Sequence, residues 1–194
     1  MIKTIINGVT GNWMNAKNKC RTTVNKSYSE VDATPTFKQK LLISEHSPIR
    51  LIGIDWSWNG IAYWVSTEWS RHKFEKYIST QRTDRTGLDR GAKPQDAKVN
   101  FDGYANAQNL IDAWRKRLCG QATVEAQMLA LDFKRELHKV EPELANVLVP
   151  NCVYRCGCPE FVSCPYWDIF KKVNPDVDMT SISARYGAYN KNFF

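Results

Sequence analysis

At 194 residues the chain suits one domain with a small appendage, and 43% hydrophobic and 12% aromatic content is enough to build a core, which excludes a disordered or fibrous protein. The net charge of +7 and a pI near 9.1 point to an anionic partner, and nucleic acid, a nucleotide or a dinucleotide cofactor would each satisfy it. No stretch approaches the ~18 apolar residues of a membrane span, and the first thirteen residues show neither a long apolar core nor a small-residue cleavage site, so the expectation is a soluble, cytoplasmic protein with no membrane partner.

In chain order, residues 1–10 read as a short strand, Asn12 to Cys20 as a helix and residues 23–34 as polar loop. Thr34-Pro35-Thr36 opens a helix through Phe37 to Ile43, because proline is tolerated in a first helical turn. Ser47-Pro48 breaks the pattern. Residues 49–57 alternate as a strand does, with Ile49, Leu51, Gly53 and Asp55 on one side and Arg50, Ile52, Ile54 and Trp56 on the other. Ile61, Trp64, Val65, Glu68 and Trp69 fall at i, i+3, i+4, i+7 and i+8, one face of a helix. Arg71-His72-Lys73 therefore emerges at that helix's C-terminus, where the helix dipole favours cations and a charged cap is the plainest reading.

Residues 83–103 hold Gly, Pro, Asp and Lys with little apolar content and read as a mobile loop and candidate lid. A helix follows from Tyr104 to Leu118, with Ala107, Leu110, Ile111, Trp114 and Leu118 as its apolar stripe. Arg117 lies beside that stripe, where it either snorkels to water or meets a buried anion. A second long helix spans Gln121 to Val140 with Val124, Met128, Leu131 and Leu137 inward.

Cys152, Cys156, Cys158 and Cys164 form C-x3-C-x-C-x5-C, read either as a structural zinc site or as reduced, packed thiols. Cys20 and Cys119 look isolated and read as core. His46 and His138 are single histidines on ordinary segments. The tryptophans, Trp56, Trp58, Trp64 and Trp69 among them, read as core, with base stacking as the alternative.

Three segments carry a resemblance. Glu45-His46-Ser47-Pro48-Ile49-Arg50, then Glu68-Trp69-Ser70-Arg71-His72-Lys73, then Asn106-Ala107-Gln108 with Arg117 eleven residues after Asn106, resemble in order and spacing the motifs of the flavin-dependent thymidylate synthase (ThyX) family over roughly residues 12–140. The resemblance implies an α+β fold, a central mostly antiparallel sheet packed with long helices over residues 1–145, with residues 146–194 as a Cys-rich, aromatic extension packed on the same domain. It implies conversion of deoxyuridylate to deoxythymidylate, with FAD carrying the hydride, methylenetetrahydrofolate as carbon donor and NADPH as reductant, in a homotetramer that shares its sites. By the match, Ser47, Arg71, Lys73, Asn106, Gln108 and Asp112 lie at the flavin. Arg71, His72 and Arg117 face the reacting junction, and Glu68, Arg82 and Arg117 the nucleotide. Such chemistry needs cations and backbone donors for the phosphates and fixed donors at a uracil carbonyl.

The departures are equally specific. Lys73 stands where the motif has its second Arg, Glu68 where it has Gln, Arg50 where it has Glu, and Gln108 where it has the Arg of Asn-x-Arg. The Ser-x-Arg-Tyr ending is not intact, and Thr80-Gln81-Arg82 is its nearest equivalent. A non-catalytic or redirected relative that binds a nucleotide or nucleic acid is therefore the alternative reading.

Overall fold

The computed structural model of the chain describes residues 2–191 and 193. Met1, Asn192 and Phe194, which the expected units 1–145 and 146–194 include, lie outside the described residues. A four-stranded sheet forms the centre, with β1 (Thr4–Thr10), β2 (Gly53–Ala62), β3 (Glu75–Ile78) and β4 (Lys98–Asn106) in the order β1-β2-β4-β3. All its pairings are antiparallel. The helices are α1 (Trp13–Thr23), α2 (Pro35–Ile43), α3 (Tyr63–Trp69), α4 (Thr83–Thr86), α5 (Ala107–Arg117), α6 (Val124–His138), α7 (Pro142–Val147), α8 (Asn151–Arg155), α9 (Tyr166–Val173) and α10 (Ile182–Asn190). None is long and apolar enough to cross a membrane, among the described residues.

The starts of α1, α2 and α5 follow from side chains that cap them. Asn12, Thr34 and Asn106 each accept a hydrogen bond from a first-turn backbone N–H, satisfying a donor the helix cannot. The strand expected at 49–57 begins later, because Ser47–Leu51 winds into a 3-10 turn after Pro48, and it runs on to Ala62. Ile61 therefore belongs to β2, and the helix expected from it starts at Tyr63. The expected loop 83–103 is corrected at its end: Val99, Phe101, Gly103 and Ala105 alternate inward in β4, a period-2 signal short of large apolar residues. Tyr104 to Asn106 likewise belong to β4 rather than to the helix that follows.

The core sits between the sheet and α5 and α6. Trp56, Trp58, Trp69, Trp114, Phe101 and Phe133 are sealed from solvent, with Trp114 and Phe133 ring centroids 4.1 Å apart. Gly103 is required there, since any Cβ would collide with the Trp56 indole. On α6 the inward face is only partly the expected one: Leu137 is buried and Leu131 half-buried as expected, but Val124 and Met128 are exposed, and Ala126, Leu129, Ala130, Phe133 and Lys134 are buried as well. Val147, Leu148, Cys152, Val153, Phe170, Tyr186 and Tyr189 join the same continuous core.

Candidate functional site

The chain leaves α3 through Ser70 and turns through Arg71, His72 and Lys73 before Phe74 plugs the core and β3 begins. The turn is pinned from below. The Lys76 amine donates to the Ser70 carbonyl at 2.8 Å and the His72 carbonyl at 3.3 Å. Arg71 and Lys73 are exposed, while His72 is half-buried.

The last turn of α5 brings Arg117 against this turn. Its Nε donates to His72 Nε2 at 2.8 Å, and Nη2 donates to the Glu68 backbone carbonyl at 2.6 Å. The Glu68 carboxylate stands 3.7 Å from Arg117 Nη1 and accepts from the Thr123 hydroxyl at 2.7 Å. The Arg117 guanidinium lies 5.7 Å from the ring centroid of Trp69, the α3 indole that packs against Trp114, and that ring helps to steady the cation. Burial, with the Arg117 and Lys76 charges, pulls the His72 pKa down to about 4. Burial also lowers Arg117, with Arg71 close enough to add to the effect.

His72 stands between two clefts. One, of about 220 Å³, is walled by Arg71, Lys73, Asn109, Asp112 and Ala113. The other, of about 260 Å³, is walled by Lys116, Arg117, Cys119, Gln121 and Glu160. A third recess of about 270 Å³ joins Lys73 to Tyr104, Asn106 and Asn109 at the start of α5. His72, Arg71, Arg117, Lys73, Asn106 and Asp112 are thus brought to neighbouring surfaces. Asn106 spends its side chain on the helix cap, accepting from the Asn109 backbone N–H at 3.0 Å.

The other expected residues are placed differently. Gln108 donates to the Glu45 carboxylate at 2.7 Å and to Asp112 at 3.3 Å. Ser47 is exposed in the 3-10 turn that follows Glu45. Arg82 lies in the exposed connection before α4 and grips Asp84 at 2.7 Å. One buried ion pair has no counterpart among the expected site residues. Arg115 is buried, pairs with Glu45 and lies 3.5 Å from the Tyr154 ring centroid. Glu45 reaches it from a left-handed backbone, φ 51°. A charged position on the buried side of the α5 helix is the one signal that could have found Arg115.

The zinc expectation is corrected. Among the described residues no three His, Cys, Asp or Glu side chains group as a metal ion needs. Cys156 is exposed and turns through a left-handed conformation, its thiol facing the Met179 carbonyl at 3.0 Å. Cys152 is buried instead, its thiol pushed up to about 12 chiefly by burial.

No family sequence model matches the chain, and no curated protein matches it in sequence. Solved structures do match in shape. A flavin-dependent thymidylate synthase ThyX from Helicobacter pylori, complexed with FAD and dUMP, aligns with TM-score 0.63 at 14% identity, over 76% of this chain and 99% of that one. A UMP/dUMP methylase, PolB from Streptomyces cacaoi, bound with 5-Br dUMP, aligns with TM-score 0.59 at 11% identity, over 76% of this chain and 94% of that one. The chain has the ThyX fold, with its α+β architecture.

Proposed function

We propose that the clefts beside His72 take FAD and a deoxyuridine nucleotide, and that the chain converts deoxyuridylate to deoxythymidylate with methylenetetrahydrofolate as carbon donor and NADPH as reductant. The reading is carried by the meeting of Arg71, His72 and Arg117 on a fold shared with proteins complexed with FAD and dUMP. FAD, when bound, would carry the hydride. The donor set suits it: Arg71 and Lys73 at the cleft mouth offer two cations to a pyrophosphate, and the Asn109 amide lies beside them. Arg71 and Lys73 bind and orient, and His72 donates a hydrogen bond without gaining charge at neutral pH, since its pKa is held near 4.

Cavities of about 220, 260 and 270 Å³ fall below the roughly 300–1,000 Å³ of pockets that enclose a drug-sized ligand. One chain therefore offers part of a FAD site, and we infer that further copies complete it in a homotetramer. Adding FAD to the purified chain should quench flavin fluorescence, and the complex supplied with deoxyuridylate, methylenetetrahydrofolate and NADPH should form deoxythymidylate. Colourless protein that takes up no FAD would sink the reading.

One observation favours a second reading, a relative that binds nucleotide or nucleic acid without turnover: Arg117 already spends Nε and Nη2 within the chain. Calorimetry with deoxyuridylate against short DNA and RNA separates the two. Steep salt dependence with the polymers and silence with the nucleotide would favour polymer binding.

A further inference from the structure

A guanidinium has N–H donors and no acceptor, and it keeps its charge in proteins. Arg117 Nε donates to His72 Nε2 at 2.8 Å, so that ring nitrogen must carry its lone pair. A neutral imidazole then has its single proton on Nδ1. Among the described residues no hydrogen bond reaches Nδ1, and it is not one of the sealed polar atoms left without a partner. Its N–H is therefore unsealed and without a protein acceptor, on a residue that lines both clefts.

We propose that Arg117 is a positioning residue that locks His72 in the Nδ1–H tautomer, so that the site presents one fixed donor to a carbonyl oxygen or an unprotonated ring nitrogen of a flavin or pyrimidine. The ligand class in this inference rests on the proposed function; the lock does not. Arg117 is itself held by the Glu68 carbonyl and carboxylate, and Glu68 by Thr123, so α3, α5 and the start of α6 all fix the angle of one ring. A group held this way recognises an acceptor and exchanges no proton with it, which separates it from a general base.

The charges around the ring favour the neutral form. Arg117 and Lys116 face it from α5, Lys76 from β3, and Arg71 and Lys73 from its own turn. Glu68 of α3, Asp112 of α5 and Glu160 of the loop before α9 are the acidic groups nearby. Two of these acids are spent on cations, Glu68 on Arg117 and Glu160 on Lys116 at 3.2 Å. Asp112 lies 3.6 Å from Arg115.

Histidine-labelled full-length chain, without any ligand, tests the lock by two-bond nitrogen–proton correlation. Three histidines are present, and His72→Gln assigns the third signal. The expected result is a protonated Nδ1 and an unprotonated Nε2 for His72, unchanged between pH 8 and pH 5.5. Arg117→Leu should release the ring to a mixture of tautomers and raise its pKa only in part, since burial and Lys76 still act on it, and Arg117→Lys, which still only donates, should restore the single tautomer. An Nε2–H tautomer in the wild type, a wild-type ring that titrates near neutrality, or an Arg117→Leu ring that keeps its tautomer would overturn the proposal. Should Arg117→Leu fail to fold, the wild-type tautomer decides, because Arg117 Nε donating to Nε2 requires the proton on Nδ1 and an Nε2–H signal overturns the lock. Because no FAD or nucleotide enters the measurement, loss of flavin binding and loss of the lock are read separately.

Discussion

Lys134 makes the fold's response to pH predictable. It stands on the inner face of α6 with no exposed surface. Its amine donates to the Ala145 carbonyl at 2.5 Å and to Asn190 Oδ1 at 2.7 Å, with the Tyr189 and Phe193 rings 5.5 and 5.4 Å away. Burial pulls its pKa from 10.5 down to about 7. The unfolded chain keeps its ordinary value, so between these values the unfolded state holds more protons and stability must rise with pH. The proton balance gives a gain of about 2 kcal/mol over roughly pH 7 to 9. Above that window the trend reverses, because burial raises the Cys152, Tyr166 and Tyr189 acids in the folded state and their unfolded forms ionise first. Urea melts at constant ionic strength measure the curve. Lys134→Met keeps an unbranched apolar stem in place and should erase the rising limb. A flat or falling wild-type curve from pH 7 to 9, or a rise that survives in Lys134→Met, refutes the reasoning.

Other outcomes follow from single contacts. Trp114→Ala removes a sealed indole that packs on Phe133 and donates to the Ala130 carbonyl at 3.0 Å, and should cost ~3–5 kcal/mol in the same melts. Glu45→Gln removes the nearer of the two carboxylates paired with Arg115, leaving Asp112 at 3.6 Å, and should cost ~1.5–3 kcal/mol, the worth of a charged hydrogen bond, whereas the double variant with Arg115→Met should cost less than the two single losses added together. Arg71→Ala changes an exposed side chain, so its melting temperature should stay put while FAD affinity, read by fluorescence quenching, falls about tenfold or more, the worth of one charged hydrogen bond.

The elements legible in the sequence are those whose local chemistry agrees with their packing. Thr34 with Pro35 announces α2, and the stripe from Ala107 to Leu118 announces α5, because cap and apolar face coincide. The missed strand β4 has a small residue at two of its four inward positions, Gly103 and Ala105, so its alternation carries little hydrophobic weight. Val124 and Met128 look like core but lie exposed at the start of α6, while buried Lys134 looks like surface; each reverses the expected face. Within the site, since a turn and a distant helix end do not report each other through spacing, Arg71, His72 and Arg117 are grouped in the sequence by the family resemblance alone. The Glu45–Arg115 pair is not, since it joins residues seventy positions apart through a backbone turn that no periodicity reports.

The departures from the motif bear on what the site binds, because two of them have acquired partners inside the chain. Glu68 is an acceptor where a glutamine would both donate and accept. Its carboxylate takes the Thr123 hydroxyl and faces Arg117, so it draws the guanidinium inward. Gln108 is neutral where an arginine would bring charge, and its amide is spent on Glu45 and Asp112. Two changes that each reduce the positive field at the clefts leave Arg71 and Lys73 as the exposed cations of the turn. Lys73 is a point charge without the fork that grips phosphate in two places. If the clefts take FAD as proposed, Arg71 is the stronger anion-binding cation of the turn, and an Arg71 substitution should weaken phosphate-bearing ligands more than Lys73→Arg strengthens them. Equal effects of the two would mean that the pyrophosphate sits at Lys73, in the recess with Asn106 and Asn109.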